Sequence, residues 1–127
     1  MATILHIEDN PANQLLVERV LGARGHRLIQ AYDGESGLRL AAETQPDLIL
    51  VDMGLPDLDG QTVVTHLQQM PATRHLPMVA ITAWPEEQAR EIARRYGLSG
   101  CIVKPIDVAT FPEQVAAFLP ADAGAGE

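Results

Sequence analysis

A fivefold alternation between short apolar runs and longer segments of helical periodicity constrains the fold of this chain most strongly. The apolar runs are predicted strands, and in chain order they cover residues 3–7, 27–31, 47–51, 78–81 and 101–103. The third and fourth runs are almost continuously apolar, which is typical of strands buried on both faces of a parallel sheet. The alternation therefore predicts that helices cover both faces of this sheet.

Right-handed crossover connections narrow the topology of such a sheet to a few arrangements. The leading prediction is a three-layer α/β sandwich built on a doubly wound, five-stranded parallel sheet with the flavodoxin-like strand order 2-1-3-4-5. The strands and helices account for one domain over residues 1–120. The remaining residues, 121–127, are small and polar, and we expect them to form a flexible C-terminal tail.

For the first and the last predicted helix, the sequence also indicates where the helix begins or ends. The first helix stops near Gly25, and its apolar stripe consists of Leu15, Leu16, Val20 and Leu21. The last helix starts late, near Phe111, because Pro112 would clash with an earlier helical turn. Thr110 and Glu113 have the spacing of a capping box, which predicts that Pro112 lies in the first turn of a helix that ends before residue 120.

Charge and cysteine content exclude several classes of protein. Nine basic and seventeen acidic side chains give a formal charge of −8, which argues against direct binding to nucleic acid. No apolar run approaches the ~20 residues that a membrane span needs, and the run that follows Met1 has neither the basic stretch nor the apolar core typical of a signal peptide. A single cysteine excludes a disulfide framework and fits a reducing compartment. We therefore expect a cytoplasmic protein that contacts neither nucleic acid nor membrane.

Chemically active side chains follow four of the five predicted strands. They are Glu8 and Asp9 after the first strand, Asp52 after the third, Thr82 after the fourth and Lys104 after the fifth. Ligands of doubly wound sheets bind outside the carboxyl ends of the strands, where these residues converge. The sequence therefore predicts one site that combines three acids, a hydroxyl and an ammonium group.

Three neighbouring carboxylates repel one another unless a cation lies among them, and few protein ligands plus water suit Mg²⁺. With Mg²⁺ bound, a carboxylate can attack phosphorus because the metal ion and an ammonium group offset charge on the phosphoryl oxygens. Asp52 is the predicted nucleophile because it ends the most buried strand, whereas Glu8 and Asp9 are better placed as metal ligands. Lys104 and Thr82 are predicted to contact the phosphoryl oxygens.

Other site motifs are absent or incomplete in the sequence. The stretch 57–60 superficially resembles a calcium loop, but Leu55 occupies the position of the first ligand. No Gly-x-Gly-x-x-Gly or Walker A run supports nucleotide binding. The four histidines are scattered and are interpreted as packing or surface residues rather than as a metal set.

At these residues the sequence resembles the receiver domain of two-component response regulators, of the single-domain chemotaxis type, from about residue 3 to about residue 119. The resemblance rests on four segments in the same order, which are Ile7-Glu8-Asp9-Asn10, the run from Val51 to Gly60, Ile81-Thr82-Ala83 and Val103-Lys104-Pro105. It implies that Asp52 takes phosphate from a phosphohistidine on a histidine kinase or a histidine phosphotransfer protein. It also implies a switch that catalyses only its own phosphorylation and dephosphorylation, and so is not an enzyme in the usual sense.

The resemblance also assigns roles within the site. Asp9, Asp52 and the backbone carbonyl of Gly54 would bind Mg²⁺ directly, while Glu8 would act through water. Thr82 and Lys104 would bind the phosphoryl oxygens. The peptide bond between Lys104 and Pro105 is expected to be cis.

Three positions are expected to govern switching and phosphoryl lifetime by the same resemblance. Cys101 lies three residues before Lys104, where the family usually has Tyr or Phe. Either Cys101 is an inert buried thiol, or switching in this protein uses another structural element. Two residues after the nucleophile, Gly54 leaves the metal side open. Two residues after Thr82, Trp84 either covers the acyl phosphate or projects outward as a partner contact.

The downstream protein partner is expected to bind the surface of the fourth helix, fifth strand and fifth helix. Two alternatives remain open. One is a degenerate receiver that acts as a phosphorylation-independent binding module. The other is an aspartyl-nucleophile phosphohydrolase, which is disfavoured because Gly54 stands where such enzymes place a general acid.

Overall fold

Five parallel strands form a single sheet in the order β2-β1-β3-β4-β5, which confirms the predicted topology. The computed structural model describes residues 2–55 and 57–120, so the tail predicted at 121–127 lies outside them. The strands are β1 (Thr3–Ile7), β2 (Arg27–Ala31), β3 (Leu48–Asp52), β4 (Met78–Thr82) and β5 (Gly100–Val103). Every residue of β3 and β4 is buried, as expected for central strands covered on both faces.

Helices connect successive strands and cover the sheet on both sides. They are α1 (Pro11–Gly22), α2 (Gly34–Thr44), α3 (Gly60–Gln69), α4 (Glu86–Tyr96) and α5 (Phe111–Phe118). Alternate strand residues face opposite layers, so α1 and α5 bury one face of the sheet while α2, α3 and α4 pack on the other. In the described part of the chain, no helix has both the length and the apolar character that a membrane span requires.

The apolar stripe predicted for α1 is wrong in part. Leu15 is 48% exposed, and the buried residues of this helix are instead Gln14, Val17 and Leu21, which have the spacing of one helical face. The amide of Gln14 can be buried because it donates a 2.6 Å hydrogen bond to the backbone carbonyl of Glu8. The helix also ends at Gly22, three residues before the predicted stop.

The last helix begins at Phe111 and ends before residue 120, as predicted, but the predicted capping box does not form. Thr110 makes no side-chain cap hydrogen bond to the helix. Glu113 points away from the helix start because its carboxylate forms an ion pair with Arg24 of α1 at 2.8 Å. Pro112 nevertheless lies in the first turn. Proline is tolerated there because the N–H groups of the first turn have no acceptor within the helix.

A close backbone approach brings the start of α3 against the end of β3. A Cβ atom on Gly60 would lie 2.6 Å from the Cα atom of Met53 and 3.1 Å from the backbone oxygen of Asp52. Because backbone atoms are the obstacles, only glycine fits without a shift of the segment that carries Asp52.

Replacement of Gly60 by alanine is expected to lower the free energy of unfolding by about 1–3 kcal/mol, the usual penalty for overpacking a buried site. Gly22→Ala is the matched control, since nothing lies within 4 Å of the added methyl group. That control is expected to be neutral or slightly stabilising because alanine favours a helix end more than glycine does. Urea denaturation of both variants measures the difference, and equal stabilities would contradict the close approach.

Candidate functional site

The carboxyl ends of the strands bring the predicted acids together. Asp52 is the last residue of β3, and Glu8 and Asp9 directly follow β1, its neighbour in the sheet. One carboxylate oxygen from each of the three residues lies within 4.8 Å of the others. The predicted convergence of the three acids is therefore present in the structure.

The ammonium group of Lys104 lies between two of these acids. Its Nζ atom is 3.4 Å from Glu8 Oε1 and 3.4 Å from Asp52 Oδ1. Glu8 and Asp52 are almost fully buried, at 2% and 6% exposure, whereas Asp9 is exposed at the mouth of the site. One ammonium group therefore faces three carboxylates, two of which are shielded from water.

The pKa values of the two buried acids shift in opposite directions. Burial, reinforced by the neighbouring Asp52, raises the pKa of Glu8 to about 7. Burial alone would raise the pKa of Asp52, but hydrogen bonds from Glu8, the Gly54 amide and Lys104 together lower it. A proton shared by this pair therefore resides on Glu8, and Asp52 keeps the ionised form that a nucleophile needs.

A small cleft of about 220 Å³ opens beside Asp52. It is lined by Asp52, Met53, Gly54, Thr82, Ala83, Trp84 and Lys104. Thr82 is buried at the end of β4, and its hydroxyl oxygen accepts a 3.0 Å hydrogen bond from the backbone amide of Trp84. Because the oxygen accepts this bond, the hydroxyl hydrogen is available to donate to another acceptor.

Two asparagines that the sequence analysis did not assign to the site hold Glu8. The side chain of Asn13 donates a 3.0 Å hydrogen bond to Glu8 Oε1, and the backbone amide of Asn10 donates to Oε2 at 3.4 Å. Asn10 also caps α1 by accepting from the amides of residues 12 and 13. In the sequence, the signal for this arrangement was the helix-capping residue Asn10 followed three positions later by the polar residue Asn13.

A buried polar chain continues below the acids. Nδ1 of His6 lies 2.9 Å from Gln30 Oε1, and the amide of Gln30 donates to the backbone carbonyl of Gln14 at 3.1 Å. Burial lowers the pKa of His6 to about 4, so the ring is neutral at physiological pH. His6 is therefore a core residue, in agreement with its interpretation from the sequence.

Two further predicted positions lie close to Lys104 along the chain. The Lys104–Pro105 peptide bond is cis, as expected from the resemblance. Cys101 lies on β5 and is partly buried. It packs against the part of the core that lies between the sheet and helices α2, α3 and α4. Burial raises the pKa of its thiol, which keeps the thiol in the unreactive neutral form.

The acidic cluster fits a hard divalent cation. Its donors are carboxylate oxygens, which Mg²⁺ prefers, and the exposure of Asp9 leaves room for water ligands. Burial and the neighbouring Asp52 together raise the pKa of Glu8 although the Lys104 ammonium group lowers it. The chemistry of this donor set is thus consistent with a magnesium site.

Comparison with known proteins identifies the class to which this fold and site belong. Residues 4–116 match the response regulator receiver domain family. The polar-differentiation response regulator DivK of Brucella anthropi is 35% identical over 117 residues, which cover 92% of this chain and 95% of that protein.

Solved structures agree with this comparison. The receiver domain of a sensor histidine kinase from Pseudomonas aeruginosa PAO1, crystallised with a magnesium ion in its active-site cleft, aligns with a TM-score of 0.82. That domain is 31% identical, and the alignment covers 92% of this chain and 96% of that one. The chemotaxis response regulator CheY4 of Vibrio cholerae shares the fold, with a TM-score of 0.87, 23% identity and coverage of 94% and 99%.

The chain therefore belongs to the response regulator receiver domain family. Receiver domains are signalling switches of two-component systems, and they bind Mg²⁺ at an acidic pocket. They interact with histidine kinases or phosphotransfer proteins and with downstream partners.

Proposed function

We propose that this protein is a phosphoacceptor switch in which Asp52 takes a phosphoryl group from a phosphohistidine in the presence of Mg²⁺. The observation that carries the proposal is the position of an ionised, buried Asp52 beside two further carboxylates and the Lys104 ammonium group. Relatives with the same receiver domain act in two-component signalling, which supports a histidine kinase or histidine phosphotransfer protein as the donor.

Asp9 and Asp52, with the backbone carbonyl of Gly54, would hold Mg²⁺, and Glu8 would contact the ion through water. When bound, Mg²⁺ supplies positive charge that screens the incoming phosphoryl oxygens from the acids. Glu8 is already fixed in place by Asn13 and Asn10, so its carboxylate is oriented before any ligand arrives.

In the transfer step, an oxygen of Asp52 forms a bond to phosphorus while the bond between phosphorus and the donor imidazole nitrogen breaks. The imidazole nitrogen keeps the electron pair of the broken bond and takes up a proton. Lys104 would contact one phosphoryl oxygen through its ammonium group, and Thr82 would donate its hydroxyl hydrogen to another. Both side chains line the same cleft as Asp52, which supports these roles.

Output would pass to a partner protein through the surface formed by α4, β5 and α5. The fully buried residues of α4 are the small side chains Ala89 and Ala93, while Ile92 and Tyr96 pack against the core and stay partly exposed. The exposed face of α4 is held by ion pairs such as Arg90 with Glu86 at 2.5 Å, which contribute little stability. A helix of this kind can shift at low energetic cost when Thr82 moves toward a phosphoryl group.

The two alternatives predict different chemistry at the same residues. A degenerate receiver would bind partners without accepting phosphate, yet the acids, the hydroxyl and the ammonium group are all in place. A phosphohydrolase would need a general acid two residues after Asp52, and that residue is Gly54, which contributes only its backbone amide to Asp52.

Incubation with acetyl phosphate and Mg²⁺ is expected to add one phosphoryl group to the wild-type protein, because Asp52 is ionised and accessible from the cleft. Asp52→Ala is expected to abolish the adduct, whereas Glu43→Gln removes one exposed carboxylate from α2 and should leave it intact. Intact-mass spectrometry measures the adduct directly.

The same assay separates the alternatives. No adduct in the wild-type protein would favour the degenerate receiver. Steady release of inorganic phosphate without accumulation of the adduct would favour the hydrolase.

Trp84 is proposed to shield the phosphoryl group from water, since its partly buried side chain lines the cleft beside Asp52. Replacement by alanine is therefore expected to shorten the phosphoryl lifetime, while Trp84→Phe retains an aromatic cover and much of the lifetime. Decay of the purified phosphoprotein, followed by intact mass, measures this effect. An unchanged hydrolysis rate in Trp84→Ala would assign Trp84 to partner contact instead.

A further inference from the structure

The first turn of α2 presents backbone N–H groups that have no partner within the helix. Asp33 caps this helix, and its carboxylate accepts from the amide of Ser36 at 2.8 Å in a reciprocal capping box. The amides of Gly34 and Glu35 remain, and nothing on α2 itself accepts from them in the described residues. They therefore need an acceptor from another part of the chain.

That acceptor is the carboxylate of Asp57, which lies in the loop between β3 and α3. Oδ1 of Asp57 accepts from the Gly34 amide at 2.8 Å, and Oδ2 accepts from the Glu35 amide at 3.1 Å. These backbone hydrogen bonds lower the pKa of Asp57, so the carboxylate stays ionised at neutral pH. Both oxygens of one side chain thus join the loop to the start of α2.

The same loop carries groups of the phosphoacceptor site. Near its start, the backbone amide of Gly54 donates to Asp52 Oδ1 at 3.1 Å. At its end, Asp59 caps α3 by accepting from the amide of Thr62 at 2.8 Å. Asp57 lies between these two attachments, and its side chain forms hydrogen bonds to the start of the neighbouring helix α2.

Side-chain packing reinforces this attachment. A Cβ atom on Gly34 would lie 3.0 Å from the Cβ atom of Leu58 and 2.8 Å from a methyl group of Val63, so the start of α2 is buried directly against the loop. The loop is therefore attached to the start of α2 at Asp57 and Leu58, by two hydrogen bonds and by close contact.

We propose that Asp57 is a positioning residue, which fixes the loop so that the backbone carbonyl of Gly54 can serve the Mg²⁺ site next to Asp52. This inference rests on the proposed function, because it assigns Asp57 a role in the magnesium binding that phosphorylation requires. Groups that orient metal ligands commonly change metal affinity by about 10-fold to 100-fold when they are removed.

An ordinary helix cap would produce a different result. Loss of a cap lowers stability but leaves a distant metal site unchanged. Asp59 provides the comparison, because it is an exposed carboxylate of the same loop with a lowered pKa that caps a helix and does not touch α2. Asp57→Ala and Asp59→Ala each remove one negative charge from the same loop. The general electrostatic attraction of Mg²⁺ therefore falls by a similar amount in both variants.

The experiment is a titration of the full chain with MgCl₂, followed by the fluorescence of Trp84, the single tryptophan, which lines the cleft. Asp57→Ala is expected to weaken Mg²⁺ binding about tenfold relative to Asp59→Ala. Asp57→Asn keeps one acceptor oxygen and is expected to lie between wild type and Asp57→Ala. Amide hydrogen exchange at Gly34 and Glu35, measured without Mg²⁺, is expected to accelerate in Asp57→Ala and not in Asp59→Ala.

The Mg²⁺ titration and the hydrogen-exchange measurement can each overturn the positioning role of Asp57. Equal Mg²⁺ affinities of Asp57→Ala and Asp59→Ala, with normal binding by the wild type, would overturn the positioning role alone. Unchanged exchange at Gly34 and Glu35 in Asp57→Ala would overturn it as well, since the two hydrogen bonds would then not hold the loop. A wild-type protein that binds no Mg²⁺ would overturn the proposed function and this inference together.

Discussion

The ammonium group of Lys104 lies 3.4 Å from the carboxylates of both Glu8 and Asp52, which are buried and close to the third acid, Asp9. Residues so far apart in sequence meet only because parallel strands in the order 2-1-3-4-5 end at one edge of the sheet. One positive charge cannot compensate three neighbouring carboxylates, and burial together with the neighbouring Asp52 raises the pKa of Glu8 although Lys104 lowers it. A divalent cation among the acids would offset this excess of negative charge.

The sequence was sufficient to predict the sheet and its functional edge, because local apolar patterns mark the buried strands and right-handed crossovers restrict the order in which they pair. Glu8, Asp52, Thr82 and Lys104 could be found since each directly follows or ends a predicted strand. The groups that hold these residues were missed. Asn13, Gln14 and Asp57 form hydrogen bonds whose geometry depends on how α1 and α2 pack on the sheet. No local sequence pattern specifies that packing.

The capping box of α5 failed for a related reason. The spacing of Thr110 and Glu113 is a local signal, but Glu113 instead pairs with Arg24, a residue that only the tertiary fold brings near. Cys101 illustrates the same limit on the output side. Burial raises the pKa of its thiol and favours the neutral form, but the sequence around Cys101 does not specify how a residue at this place would couple to switching.

The uncompensated negative charge that the three acids keep beside Lys104 is the central claim, and one measurement tests it directly. Calorimetric titration of Mg²⁺ into wild type and Lys104→Met is expected to show tighter binding by the variant, on the order of tenfold, because a repelling charge 3.4 Å from two of the acids is removed. The same variant should take phosphate from acetyl phosphate more slowly, since Lys104 no longer contacts the phosphoryl oxygens. Mg²⁺ binding that is weaker in Lys104→Met, or equal to that of the wild type, would contradict the account.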